Sequence, residues 1–151
     1  MKSTTLTTLA TLGFLAMSGN AFADADNYTA FNGTGCDNYY AADTGQFNHQ
    51  YNGIRNISAS ARYVSCPIDK DAVSSLGGFG TTWIRWIGAG TMYCTLYHFN
   101  VNGVGVSQGG NGPQNWFSIP PLAADDFWGS ASLYCLVPAG ATLQTIHVYE
   151  P

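Results

Sequence analysis

The chain has 151 residues, 46% of them hydrophobic, 14% aromatic and only 9% charged, with 18 glycines and six prolines. That length is one domain, and so little charge excludes a coiled coil, a charge-laced helical bundle and a polyelectrolyte tail. Five Lys plus Arg against nine Asp plus Glu leave no basic stripe to neutralise phosphates, so no nucleic-acid partner is expected.

Residues 1–23 read as an export signal. Lys2 gives a positive start, Leu6 to Met17 is an apolar run broken by threonines, and Ala21-Phe22-Ala23 is a small-residue cleavage site. The run is shorter than the roughly 20 apolar residues of a spanning helix, and no later segment predicts a membrane span. Cleavage leaves a mature chain starting at Asp24, with four cations against nine carboxylates and a formal charge of −5. The expected location is the periplasm or the medium of a bacterium.

Cys36, Cys66, Cys94 and Cys135 all lie in the mature part, and an even number of cysteines in an oxidising compartment predicts two disulfides. Three pairings are open. Cys36 with Cys66 and Cys94 with Cys135 is favoured, because each bridge then ties segments within one half of the chain.

From Asp24 to Thr44 the chain is rich in Asn, Asp, Gly and Tyr without sustained period, which predicts an irregular lead-in pinned by Cys36. β-branched and aromatic segments then recur between Gly, Asn and Pro: Gln46–Ile57, Ala61–Pro67, Thr81–Ile87, Thr91–Val101, Val104–Ser107, Trp116–Ile119, Ser130–Val137 and Leu143–Tyr149. The pattern is all-β, and the only helical candidate is a turn over Asp69–Leu76. Gln108–Gln114 and Leu76–Gly80 read as glycine-rich loops. A two-residue hairpin turn is expected at Asn102-Gly103, where a type I′ turn needs positive φ twice. A second hairpin is expected at Pro138–Ala141, pairing Ser130–Val137 with Leu143–Tyr149.

In that pairing Cys94, Leu96, Leu133, Cys135, Ile146 and Val148 line an aliphatic core face. The opposite face gathers Tyr93, Tyr97, Phe99, Tyr134, His147 and Tyr149, rings with polar tips that border water and still pack. This is the leading candidate surface; the alternative is a second core layer covered by another sheet. Trp83, Trp86, Trp116 and Trp128 could stack on sugar rings, and Trp83 shares a strand face with Arg85, a pairing that suits glycan recognition.

The chemistry of catalysis and metal binding finds little purchase. His49, His98 and His147 are the only histidines; His98 and His147 lack a third ligand and point to opposite faces, so no metal is expected. Asp69-Lys70-Asp71 lacks the glycine and distal glutamate of a calcium loop. Adjacent Asp125-Asp126, after Pro120-Pro121, reads as a turn and not as two carboxylates held across a cleft. No serine-hydrolase or zinc-protease motif occurs, and bonded cysteines offer no thiol nucleophile.

Gly53-Ile54-Arg55-Asn56, then Val64-Ser65-Cys66-Pro67, with Cys94-Thr95-Leu96 and Tyr134-Cys135-Leu136 further on, resembles a pattern of small exported bacterial proteins of uncharacterised function. The resemblance spans most of the mature chain and implies export and a single domain; it carries over no activity, cofactor or site residue.

The expected protein is an all-β, disulfide-stapled antiparallel sandwich or jelly-roll-like domain over residues 24–151. The expected function is a non-enzymatic module that binds glycan or protein without a cofactor. Its candidate ligand-binding residues are Trp83, Arg85, Tyr93, Tyr97, Trp116, Trp128, Tyr134 and Tyr149. A self-assembling surface protein and a small envelope-polymer hydrolase are the alternatives.

Overall fold

The computed structural model describes residues 28–69, 78–100, 102–123 and 130–150. The expected export signal, residues 70–76 of the helical candidate, Asp71, Asp125, Asp126 and Trp128 lie outside the described residues.

The described strands are β1 (Tyr28–Asn32), β2 (Asp37–Asn38), β3 (Phe47–Gln50), β4 (Gly53–Asn56), β5 (Arg62–Ile68), β6 (Thr82–Ile87), β7 (Met92–Phe99), β8 (Gly105–Gly112), β9 (Asn115–Ile119), β10 (Ser130–Val137) and β11 (Thr142–Tyr149). They form two antiparallel sheets. One runs β3-β4-β11-β6-β9 with β1 also paired to β11; the other runs β2-β5-β10-β7-β8. From β4 to β11 every step along the chain changes sheet except β7 to β8, and the first of these strands lies beside the last. That is the jelly-roll form of the sandwich.

The alternation that makes these strands also makes the core. In β6, Thr82, Ile84 and Trp86 are buried while Trp83, Arg85 and Ile87 are exposed. Ile84, Trp86, Leu96, Leu133, Leu143 and Ile146 are fully buried, each side chain contributing about 1.5–3 kcal/mol by leaving water. The disulfides are Cys36–Cys66 and Cys94–Cys135, as favoured from spacing, at sequence separations of 30 and 41. Loops of this length give about 3–4 kcal/mol per bridge in the chain-entropy account. Cys94 and Cys135 are direct cross-strand partners in β7 and β10; Cys66 lies in β5, and Cys36 immediately precedes β2. Both bridges therefore staple the five-stranded sheet.

The expected β10–β11 hairpin does not form. β10 lies between β5 and β7 in one sheet, and β11 pairs with β6, β4 and β1 in the other. The turn Pro138–Ala141, closed by the Ala141 N–H on the Pro138 carbonyl at 3.1 Å with Gly140 at φ 74°, carries the chain between sheets. Period-two patterning gives the same inward residues for a hairpin and for two facing strands, so it cannot tell the two apart.

Asn56 locks this crossing. Its N–H donates to the Ala141 carbonyl at 2.9 Å and its carbonyl accepts from Gly140 at 3.0 Å. Its Nδ2 donates to the carbonyls of Ser60 and Val137 at 2.9 and 2.8 Å, while Oδ1 accepts from the N–H and Oγ of Ser58 at 2.9 and 2.7 Å. A fully buried amide is thus fully satisfied.

The β7–β8 hairpin forms, with a different turn. Gly103 is left-handed at φ 76° and its N–H bonds the Asn100 carbonyl at 2.9 Å; Asn102 is not left-handed. Asn100 Oδ1 accepts from the N–H groups of Asn102 and Val104 at 3.0 and 2.9 Å, so the loop is longer than a strict type I′ turn. The expected loop at Gln108–Gln114 is strand as far as Gly112. Its glycines let β8 press on β9, since a Cβ on Gly110 would stand 2.6 Å from the Ser118 carbonyl oxygen. The lead-in is also partly strand: β1 pairs with β11 from Tyr28↔Tyr149 to Asn32↔Thr145, filling the edge that β4 leaves open. Gln46–Ile57 is two strands, β3 and β4, turning at Tyr51-Asn52.

Candidate functional site

The jelly-roll order divides the candidate residues between two outer faces. Trp83, Arg85, Trp116, His147 and Tyr149 stand on the six-stranded sheet; Tyr93, Tyr97, Phe99 and Tyr134 stand on the five-stranded sheet. The expected single face holding Tyr93, Tyr97, Phe99, Tyr134, His147 and Tyr149 therefore does not exist. His147 and Tyr149 do point away from the core, but in the opposite sheet from the other four.

On the six-stranded sheet, cross-strand register builds two rows. Trp83 of β6 pairs with Ser118 of β9 and His147 of β11, and His147 pairs in turn with Ala30 of β1. Arg85 pairs with Trp116 on one side and Thr145 on the other. The Trp116 indole crosses β6 to reach His147, ring centroids 5.4 Å apart at 59°. The Arg85 guanidinium lies 5.8 Å from the Trp116 ring centre, within cation–π range. Tyr28 joins from β1, its ring 4.9 Å from that of Tyr149.

Together Tyr28, Trp83, Trp116 and His147 line an open depression of roughly 330 Å³. Trp83, Trp116 and Tyr28 remain 41%, 44% and 44% exposed. Three large rings kept in water by a sheet whose other face is closed around Ile84, Ile146 and Val148 are available for stacking. The alternation of β6 required this for Trp83, because burying Trp86 turns Trp83 outward. Tyr28 was not among the candidates, since its segment carries only a five-residue alternation inside a polar lead-in. Trp86 is core.

The other outer face is differently built. Tyr39 packs edge-on against Tyr40, Tyr63 and Tyr134 at 4.6, 6.3 and 5.0 Å, and Tyr134 against Tyr97 at 5.3 Å. Tyr97 stacks on Phe99 at 6.0 Å and 5°. These contacts knit the rings into one cluster, in which Tyr39, Tyr40 and Tyr63 are still 49%, 53% and 42% exposed. Tyr93 stands 53% exposed on the same sheet.

His98 is buried in β7 while His147 is on the outer face of β11, so they do not meet. Among the described residues no group of three His, Cys, Asp or Glu is placed to hold a metal. No described carboxylate lines the depression. No helix among the described residues is long and apolar enough to cross a membrane.

No protein-family model matches the chain, and no curated protein matches it. Two solved structures are similar in outline. One is the CBM36-1 domain of a multidomain xylanase from the hindgut metagenome of Trinervitermes trinervoides, at 12% identity and TM-score 0.48, covering 81% of this chain and 96% of that one. The other is the Podospora anserina GH26-CBM35 β-(1,4)-mannanase, at 11% identity and TM-score 0.41, covering 83% of this chain and 28% of that one. The sandwich itself rests on this chain's own strand pairing.

Proposed function

We propose that this protein is a carbohydrate-binding module whose sugar rests in the depression of Tyr28, Trp83, Trp116 and His147. The observation that carries this reading is that three exposed large rings line one depression, beside side chains that can hydrogen-bond hydroxyls. Sugars present an apolar ring face edged by hydroxyls, and an indole offers the matching flat surface with one N–H donor. A depression of roughly 330 Å³ is at the small end of ligand sites, the scale of one or two sugar residues. Two disulfides suit an oxidising compartment, and with residues 1–23 read as a removed export signal the module works outside the cytoplasm.

The test is calorimetric titration of the oxidised protein with a panel of soluble oligosaccharides, read beside tryptophan emission. An open site resting on a few stacking contacts predicts dissociation constants in about the micromolar to millimolar range. At least one glycan should bind and shift the emission, and the Trp116→Ala variant should lose both effects. A folded protein that binds none of the panel contradicts the reading.

A further inference from the structure

Among the described residues, charge is unevenly placed between the two outer faces. The chain carries nine carboxylates and five Lys plus Arg, yet the described carboxylates avoid the six-stranded face. Asp37 lies in β2 of the other sheet and Asp69 follows β5 at the end of that sheet; Glu150 is buried, and buried Asp43 pairs with Arg62 at 3.3 Å. The two remaining described guanidiniums, Arg55 and Arg85, are both exposed on the six-stranded face. Their backbones stand about 12 Å apart, with β11 between their strands and Arg85 offset by two residues along β6. Arg85 is at the rim of the aromatic depression, stacked against Trp116 at 5.8 Å. Arg85 thus sets positive charge beside the stacking rings.

Resting on the carbohydrate reading, we infer that the depression selects acidic sugars. The ring lies on Trp83 and Trp116, and the sugar's carboxylate or sulfate accepts hydrogen bonds from the Arg85 guanidinium. The planar fork of arginine matches an oxyanion bidentately, and Trp116 beneath it limits the rotamers that must be frozen on binding. Arg55 is placed to meet a second acidic group on a longer chain. A neutral glycan would stack equally well but leave Arg85 without its anion.

The experiment titrates the folded, disulfide-bonded protein with oligohexuronates, sulfate-ester oligosaccharides, and the carboxyl-reduced neutral counterparts of the hexuronates at equal length. A charge-assisted hydrogen bond predicts that an acidic ligand binds about tenfold or more tightly than its neutral counterpart. Which acidic series binds tells carboxylate from sulfate. The advantage should fall as salt rises, vanish in Arg85→Gln so that acidic and neutral ligands bind alike, and be partly kept in Arg85→Lys, which retains charge without the fork. Equal binding of acidic and neutral ligands, or an Arg85→Gln variant that keeps the preference, overturns this inference and leaves the carbohydrate reading standing. Binding of neutral glycans alone does the same. A folded protein that binds no glycan overturns both.

Discussion

Trp116 on β9 and His147 on β11 are two strands apart, and their rings meet above β6 with centroids separated by 5.4 Å. This contact closes one side of the depression, with Arg85 of β6 also held against the Trp116 ring. Trp116→Ala should therefore abolish measurable glycan binding while lowering stability by only about 1 kcal/mol, because the side chain is 44% exposed. Trp86→Ala is the contrasting variant. Trp86 is fully buried, and its loss should cost about 3–5 kcal/mol, read as a drop in the urea midpoint.

The two aromatic faces should separate cleanly by mutation. Tyr134 touches Tyr39 and Tyr97 edge-on at 5.0 and 5.3 Å, and such pairs contribute about 0.5–1.5 kcal/mol each beyond area burial. Tyr134→Ala should lower unfolding free energy by about 1–3 kcal/mol and leave glycan affinity unchanged. Parallel urea melts and calorimetric titrations check both halves.

Asn56 joins the Ser58–Ser60 turn to the crossing between β10 and β11 through all its amide hydrogen bonds. Asn56→Ala leaves the buried Val137 carbonyl without its side-chain donor and opens a polar void. The expected loss is about 2–4 kcal/mol. Equilibrium urea unfolding measures it, and a loss under about 1 kcal/mol would show that water replaces the amide.

Two glycines of the β8 region should respond differently to the same methyl group. A Cβ on Gly110 would meet the Ser118 carbonyl oxygen at 2.6 Å, whereas one on Gly103 would meet nothing within 4 Å. Gly103→Ala should cost about 1–2 kcal/mol, the penalty of left-handed backbone at φ 76°. Gly110→Ala should cost more, about 2–3 kcal/mol, because backbone must move and β8 is pushed from β9. Thermal melts of the two variants order these effects.

What the sequence revealed follows the physics of alternation. Thr82–Ile87 and Ser130–Val137 show period two because each buries one face, so their inward and outward residues were legible: Trp83 and Arg85 share a face, as the sequence required. The cysteine pairing was legible because it follows local halves of the chain. Sheet assignment was not, since Ile146 and Val148 face inward whether β11 pairs with β10 or lies opposite it. That one ambiguity merged two aromatic faces into one. β1 and the end of β8 were illegible for another reason: Tyr28–Asn32 and Gly109–Gly112 are held by main-chain ladders that leave little trace in side-chain pattern. Tyr28, a wall of the depression, is illegible for the same reason as its strand.

The most direct test of the central claim is nuclear magnetic resonance of the indole N–H groups during titration with a glycan. The Trp83 and Trp116 signals should shift with a common saturation curve, while that of buried Trp86 and the rings of Tyr39 and Tyr134 on the far face stay in place. Glycan-induced shifts confined to the tyrosine face, with Trp83 and Trp116 unmoved, would contradict the account.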